Sequence, residues 1–393
     1  MEKISFQNKL IFLWDVFLCS LGSYGGPEAH YGVFSSILVK KKKYLTEEEL
    51  TEMIGLYALV PGPSSTQTIT AIGYYVGGRI LAILTFLVWA FPAITVMSLI
   101  GVFFSLIAQH NEWKPLLTYL PAVAVGFIVY AAITLSKKVL KKRLDLILYV
   151  TMLILGLLLV SYSMWVVPIL LILGGVIVLV LNKTDKTEVL INQKPKWHIL
   201  AIVIIMALFN EGLRNYVSTP FVTLYTSFFR YGYSVIGGGQ IVVPLMIQDL
   251  VQSQALISLN DFLAGYAIDQ AIPGPLFSFA AFVSSRSFSG NEFSFLYGLI
   301  GGLSIFLPGI LLVFFIFPLW KSMRLIPQVK YFLSGVGITA ASLIVMTGIN
   351  QLVDLPVDFK VYGIVIISTL LLLTKKVPAP IIVILAAAIG FIL

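Results

Sequence analysis

Of the 393 residues, 59% are apolar and only 11% are charged, about half the charge of an average soluble domain. That balance excludes a large soluble protein, whose helices would need amphipathic stripes beneath a charged surface. The net charge of +8 does not point to nucleic acid, because the basic residues sit in short loops between apolar segments, as topology signals facing anionic lipid do. A single cysteine, Cys19, excludes an internal disulfide framework and a four-thiolate metal site. The histidines His30, His110 and His198 are scattered, so neither a metal nor a cofactor is expected. No removable signal peptide is expected at the N-terminus.

In chain order, the first apolar segment carries Asp15 and runs into Gly25-Gly26-Pro27-Glu28, with His30 two residues on. A basic loop at Lys40 to Lys43 and a further apolar stretch lead to Pro61-Gly62-Pro63-Ser64-Ser65-Thr66-Gln67. A long apolar segment with Phe91-Pro92 and three more segments complete this half, including cores at residues 144–160 and 168–181. A polar linker, residues 182–197, and one extra apolar segment near residues 199–214 follow. The pattern then returns. Arg230 precedes Gly237-Gly238-Gly239-Gln240, and after a polar loop Asp269-Gln270 precedes Pro273-Gly274-Pro275. Leu307-Pro308 and three apolar segments close the chain.

In both copies 36 positions separate Gly-Gly from Pro-Gly-Pro, which marks an internal repeat. The expected organisation is a first repeat at 1–181, a linker plus one helix at 182–215, and a second repeat at 216–393. One helix between the copies should make them enter the membrane from opposite sides, the plan of many secondary transporters. The expected fold is therefore an all-α integral membrane protein, an inverted repeat of two homologous halves with re-entrant, broken helices. If every Gly-Gly and Pro-Gly-Pro is the tip of a re-entrant hairpin, the lysine-rich loops fall on one side and the acidic loops near Asp261 and Asp354 on the other. This follows the positive-inside rule, with a cytoplasmic N-terminus in a bacterial inner membrane.

A helix that starts in mid-membrane leaves amides without partners, tolerable only around a polar cavity or inside protein. Glycine permits the turn, and proline suits the first helical turn because its missing N–H would be unpaired anyway. The freed amides and the positive end of the helix dipole bind anions. Gly25, Gly26, Pro27, Gly62, Pro63, Ser64, Ser65, Gly237, Gly238, Gly239, Gly274 and Pro275 are thus candidate binding residues, with Gln67, Gln240 and Gln270 as neutral donors.

Leu21-Gly22-Ser23-Tyr24-Gly25-Gly26-Pro27-Glu28-Ala29-His30 and Val60-Pro61-Gly62-Pro63-Ser64-Ser65-Thr66-Gln67, with Ile72-Gly73-Tyr74, resemble the first domain of the chromate ion transporter family. Ile236-Gly237-Gly238-Gly239, Pro244-Leu245 and Asp269-Gln270-Ala271-Ile272-Pro273-Gly274-Pro275 resemble its second domain. The resemblance implies a long-chain, two-domain member that exports chromate, with sulfate as a similar ligand, driven by an ion or proton gradient. Where the family often has a basic residue before the first Gly-Gly, this chain has Leu18 and Cys19; the second copy has Arg230.

Ionisable residues inside apolar segments are functional candidates because burying them is costly. The forked donors of Arg230 suit an oxyanion. Asp269 either pairs with Arg230 or carries a proton, and Glu28 is a second proton-coupling candidate or a cap for the helix that follows it. His30 either shuttles protons or hydrogen-bonds. The expected partners are chromate or sulfate and membrane lipid, without nucleic acid; a homodimer is left open. A passive anion channel could share the same tips. An intramembrane enzyme would need a nucleophile and a base in register, and neither Gly-x-Ser-x-Gly nor His-Glu-x-x-His occurs.

Overall fold

The computed structural model describes residues 6–58, 60–109, 114–162, 166–182, 196–217, 219–235, 242–319 and 327–392. Among these residues there is no strand. Helix α1 (Phe6–Gly22) stops at Gly25-Gly26, whose φ values of 78° and 116° lie where side chains are strained. Pro27 opens α2 (Pro27–Phe34), which continues as a π-helical turn over Ser35–Lys41. Together they are too short, at about 22 Å, to cross about 30 Å of hydrocarbon. Helix α3 (Glu47–Tyr57) starts on a Thr46–Glu49 capping box, in which each side chain bonds the other's backbone N–H.

Helix α4 (Ser64–Gln109) reads from composition as one long span, but Gly77 and Gly78 break it. Trp89 Nε1 donates to Thr66 Oγ1 at 3.1 Å, whereas an unbroken helix would hold these residues about 35 Å apart. A Cβ on Gly73 would lie 2.3 Å from Thr85 Oγ1. The stretch before Gly77 therefore folds back along the stretch after Gly78. About 20 Å long, that first arm is too short to span alone.

Helices α5 (Leu120–Val139), α6 (Arg143–Leu159) and α7 (Val166–Leu181) finish the first half, and α8 (Trp197–Tyr216) is the additional helix. The second half repeats the order with α9 (Pro220–Ser234), α10 (Val242–Met246) with its π turn Ile247–Ser253, and α11 (Leu259–Ala271). Then come α12 (Phe279–Ser287), α13 (Ser294–Ile316), α14 (Pro327–Asp354), α15 (Phe359–Leu373) and α16 (Ala379–Ile392).

Backbone features recur 212 positions apart, as residue 62 is from residue 274. The two π turns, the left-handed Lys43 and Ala255, the positive-φ pairs Gly62/Gly274 and Gly78/Gly290, and the Thr46 and Ser258 caps all follow this offset. Helices α12 and α13 also double back about Gly290: a Cβ on Gly302 would meet Ala281 Cβ at 2.8 Å. The repeat seen in the sequence is thus a repeat of backbone conformation.

The chain forms two compact units, each drawing on both repeats. One comprises residues 1–105, 190–239 and 272–325; the other comprises 106–189, 240–271 and 326–393. In the second unit α7 and α14 pack with Gly335 Cα so near the Gly174 carbonyl that a Cβ would fall 2.1 Å from that oxygen, the small-residue packing expected of helices in lipid. In the first unit, Thr66, Thr68, Thr70, Ser98, Ser284 and Ser285 are buried while Trp14, Ile80, Ile205, Leu208 and Phe209 are exposed. Apolar residues outside and small polar residues inside suit a lipid solvent, and water-soluble monomers rarely expose large apolar patches. Among the described residues, five helices are long and apolar enough to cross a membrane: those containing Ser64–Phe104, Lys114–Val139, Trp197–Tyr216, Ser294–Leu319 and Lys330–Asp354.

Candidate functional site

The Pro-Gly-Pro tips lie in the first unit, and each is bonded to the other repeat. The Gly62 N–H donates to the Val235 carbonyl at 2.7 Å, and the Gly274 N–H donates to the Ser23 carbonyl at 2.8 Å. Each acceptor stands two residues before its own Gly-Gly, so the halves exchange the same bond in both directions, the signature of a local two-fold. Neither glycine tolerates a side chain. Gly62 (φ +120°) has Gly309 Cα 3.0 Å from the position of a Cβ, and Gly274 (φ +134°) has Ala93 Cβ at 2.4 Å.

After Gly62, Pro63 occupies the cap position, and its carbonyl accepts from Gln67 N–H at 2.9 Å. That is the first intrahelical bond of α4, so the amides of Ser64, Ser65 and Thr66 precede the ladder. This start is buried together with His30, which is 1% exposed. His30 Nδ1 lies 3.0 Å from Ser65 Oγ, the Tyr31 hydroxyl donates to Ser64 Oγ at 3.2 Å, and the His30 ring meets Trp89 edge-on at 5.3 Å. Ser20 Oγ donates to the Trp89 carbonyl at 2.9 Å. Side chains of α1, α2 and both arms of α4 thus close around one helix start. His30 Nε2 is buried there with no hydrogen-bond partner among the described residues.

The second tip differs in chemistry. Pro275 leads into a 3-10 turn, Leu276–Ser278, whose leading residues Leu276 and Phe277 are apolar and buried. Hydroxyls beside free amides therefore belong to the first tip. Gly237, Gly238, Gly239 and Gln240 lie outside the described residues, as does the side chain of Glu28, whose backbone sits in the first turn of α2. Asp269 and Gln270 are buried near the end of α11, in the second unit.

Two expected anion donors are engaged elsewhere. The Gln67 amide nitrogen donates to the carbonyls of Pro61 (2.8 Å) and Gly309 (3.1 Å), so both its hydrogens clamp the tip and none is left for an anion. Arg230 turns its fork to Glu211 of α8: Nε donates to Oε1 at 2.7 Å and Nη2 donates to Oε2. The Tyr233 hydroxyl donates to the same carboxylate at 2.7 Å. The sequence did carry a signal for Glu211, an acid inside the additional apolar segment. Nor do the loop lysines act only as topology signals, since Lys42 Nζ lies 3.0 Å from the buried Asp15, which also accepts from the Tyr44 hydroxyl at 2.7 Å.

The sequence profile of the chromate transporter family matches residues 10–180 and again residues 222–391. A chromate transport protein of Cupriavidus metallidurans is 25% identical over 99% of this chain and 94% of its own length. A probable chromate transport protein of Synechococcus elongatus is 24% identical over 94% of this chain and 91% of its own length. A transporter of Methanocaldococcus jannaschii, described as uncharacterized, is 23% identical over all of this chain and 96% of its own length. No solved structure matches.

Proposed function

The chain belongs to the chromate transporter family, and we propose that it carries a small divalent oxyanion, chromate or the similarly shaped sulfate, across the membrane as a secondary transporter. The observation that carries this reading is the buried start of α4, where Ser65 Oγ lies 3.0 Å from His30 Nδ1 and the other ring nitrogen, Nε2, is buried with no hydrogen-bond partner among the described residues. An unsatisfied buried polar atom costs about 1–3 kcal/mol, a cost that a ligand in the site removes. With Nδ1 accepting from the Ser65 hydroxyl, Nε2 bears the proton and donates to the oxyanion. The helix dipole and the free amides supply the remaining attraction.

The two halves would insert in opposite senses, with Gly-Gly and Pro-Gly-Pro at the tips of re-entrant hairpins. Single reporter cysteines near Lys42 and near Asp261 are then expected to react with impermeant reagent from opposite sides of the membrane. Reaction from one side would remove the inversion and leave the site.

Transport is tested by loading the purified protein into vesicles and following labelled chromate and sulfate with each gradient imposed separately. Uptake above empty vesicles, accelerated by a pH or ion gradient, is expected; no flux of either oxyanion under any gradient would refute the reading. Asp269 and Glu28 are the proposed proton carriers, so Asp269→Asn or Glu28→Gln should remove the response to a pH gradient. A response unchanged in both would take them out of the mechanism.

A further inference from the structure

Helix α8 lies between the two stretches that match the family, yet it supplies the partner of an arginine inside the second stretch. Its outer face carries the exposed Ile205, Leu208 and Phe209. Its inner edge is polar: Asn210 donates to the Thr226 carbonyl at 3.0 Å, Glu211 holds Arg230, and Arg214 donates to Ser227 Oγ at 3.0 Å. Helix α13, which packs against both α8 and α9, contributes no charged residue. On these three helices the charged groups at this contact are Glu211 and Arg214 of α8 and Arg230 of α9.

Arg230 lies just over one turn before Val235, whose carbonyl holds the Gly62 tip. The corresponding position of the first repeat, 212 residues earlier, is Leu18, so the ion pair breaks the two-fold at one end. Its side chains are unequally buried, Arg230 at 8% exposure and Glu211 at 29%. Glu211 is thus the less buried partner of the pair. A guanidinium fork that fits a carboxylate fits a tetrahedral dianion equally well. A buried pair is also weak evidence of a purely structural purpose, since apolar replacements are often as stable.

We propose that Glu211 is a resident internal anion that occupies Arg230 until the transported oxyanion displaces it. The linker helix then sets the affinity of the site, and exchange of the carboxylate for the oxyanion frees the polar edge of α8 from α9. This rests on the oxyanion reading above. Because the competent fraction of Arg230 scales the apparent affinity, weakening Glu211 should tighten binding.

The test uses the purified full-length protein with sodium sulfate and sodium chromate, measuring binding and thermal unfolding together. Glu211→Gln is expected to bind about tenfold more tightly than the parent, to unfold at lower temperature without anion, and to gain a larger upward shift on saturation. Tyr233→Phe, which loosens Glu211 and keeps the ion pair, should tighten binding by less than Glu211→Gln does and unfold closer to the parent temperature than Glu211→Gln. Adding Arg230→Gln to Glu211→Gln should abolish the gain. Unchanged or weaker binding in Tyr233→Phe, while the parent binds, overturns the proposal whether or not Glu211→Gln folds, and leaves the transport reading intact. A parent protein that binds neither oxyanion overturns both.

Discussion

Gly62→Ala is expected to abolish oxyanion transport and to destabilise the protein by on the order of 3 kcal/mol. The backbone there has φ +120°, a conformation that side chains seldom adopt, and a Cβ would come within 3.0 Å of Gly309 Cα and 2.9 Å of Gln67 Nε2. Strain of that kind costs about 1–3 kcal/mol by itself. The neighbours cannot yield cheaply. Gln67 is held to two carbonyls, and Gly309 presents backbone, with Pro63 also close against it. Shifting the tip would also stretch the 2.7 Å bond from Gly62 N–H to Val235. Gly78→Ala separates strain from packing, because its φ is +81° but nothing lies within 4 Å of the new methyl. It should cost about 1–2 kcal/mol and leave most transport intact. Thermal unfolding and vesicle flux on both variants make the comparison; equal loss of flux in the two would mean that the crowding at Gly62 is unimportant.

His30→Leu should separate function from stability in the opposite direction. Leucine fills much of the imidazole's space against Trp89 and removes the buried, unpartnered Nε2, while Ser65 loses its ring contact at 3.0 Å. These changes nearly offset each other, so the unfolding temperature should move by only a few degrees. A hydrogen bond to a charged ligand, in contrast, is worth about 1.5–3 kcal/mol. Oxyanion affinity should therefore fall roughly 10- to 150-fold. Equilibrium binding of sulfate to the purified variant decides the matter: affinity equal to the parent's would remove His30 from the site.

What the sequence revealed followed from how few residues can make a sharp turn in lipid. Gly25-Gly26 and Pro61-Gly62-Pro63 stood out because the backbone at φ 78°, 116° and 120° excludes most alternatives. Gly77-Gly78 uses the same chemistry, yet it went unread because it lies in an unbroken apolar run and hydropathy cannot register a reversal of direction. The partners of Arg230 and Gln67 were hidden for another reason. Each bond joins segments whose contact depends on packing, such as Gln67 to Gly309 at a separation of 242 residues. Periodicity within one helix carries no trace of that contact. The reciprocal bonds from Gly62 to Val235 and from Gly274 to Ser23 were equally invisible, although they explain why the two Gly-Gly to Pro-Gly-Pro spacings must match. A change of spacing in one copy would pull its tip away from the other's carbonyl.

The difference between the tips narrows the site. Ser64 and Ser65 sit where the second copy has Leu276 and Phe277, so the halves share a scaffold while only one offers hydroxyls beside its free amides. The conformational repeat thus holds the broken helices in place, and its chemical asymmetry makes the start of α4 the proposed anion site.

Anomalous diffraction at the chromium absorption edge, from crystals of the protein grown with chromate, locates the bound ion without reference to activity. A peak within hydrogen-bonding reach of the Ser64 and Ser65 amides and His30 Nε2 is the expected result. A chromium peak away from the start of α4, with that start empty, would contradict the site.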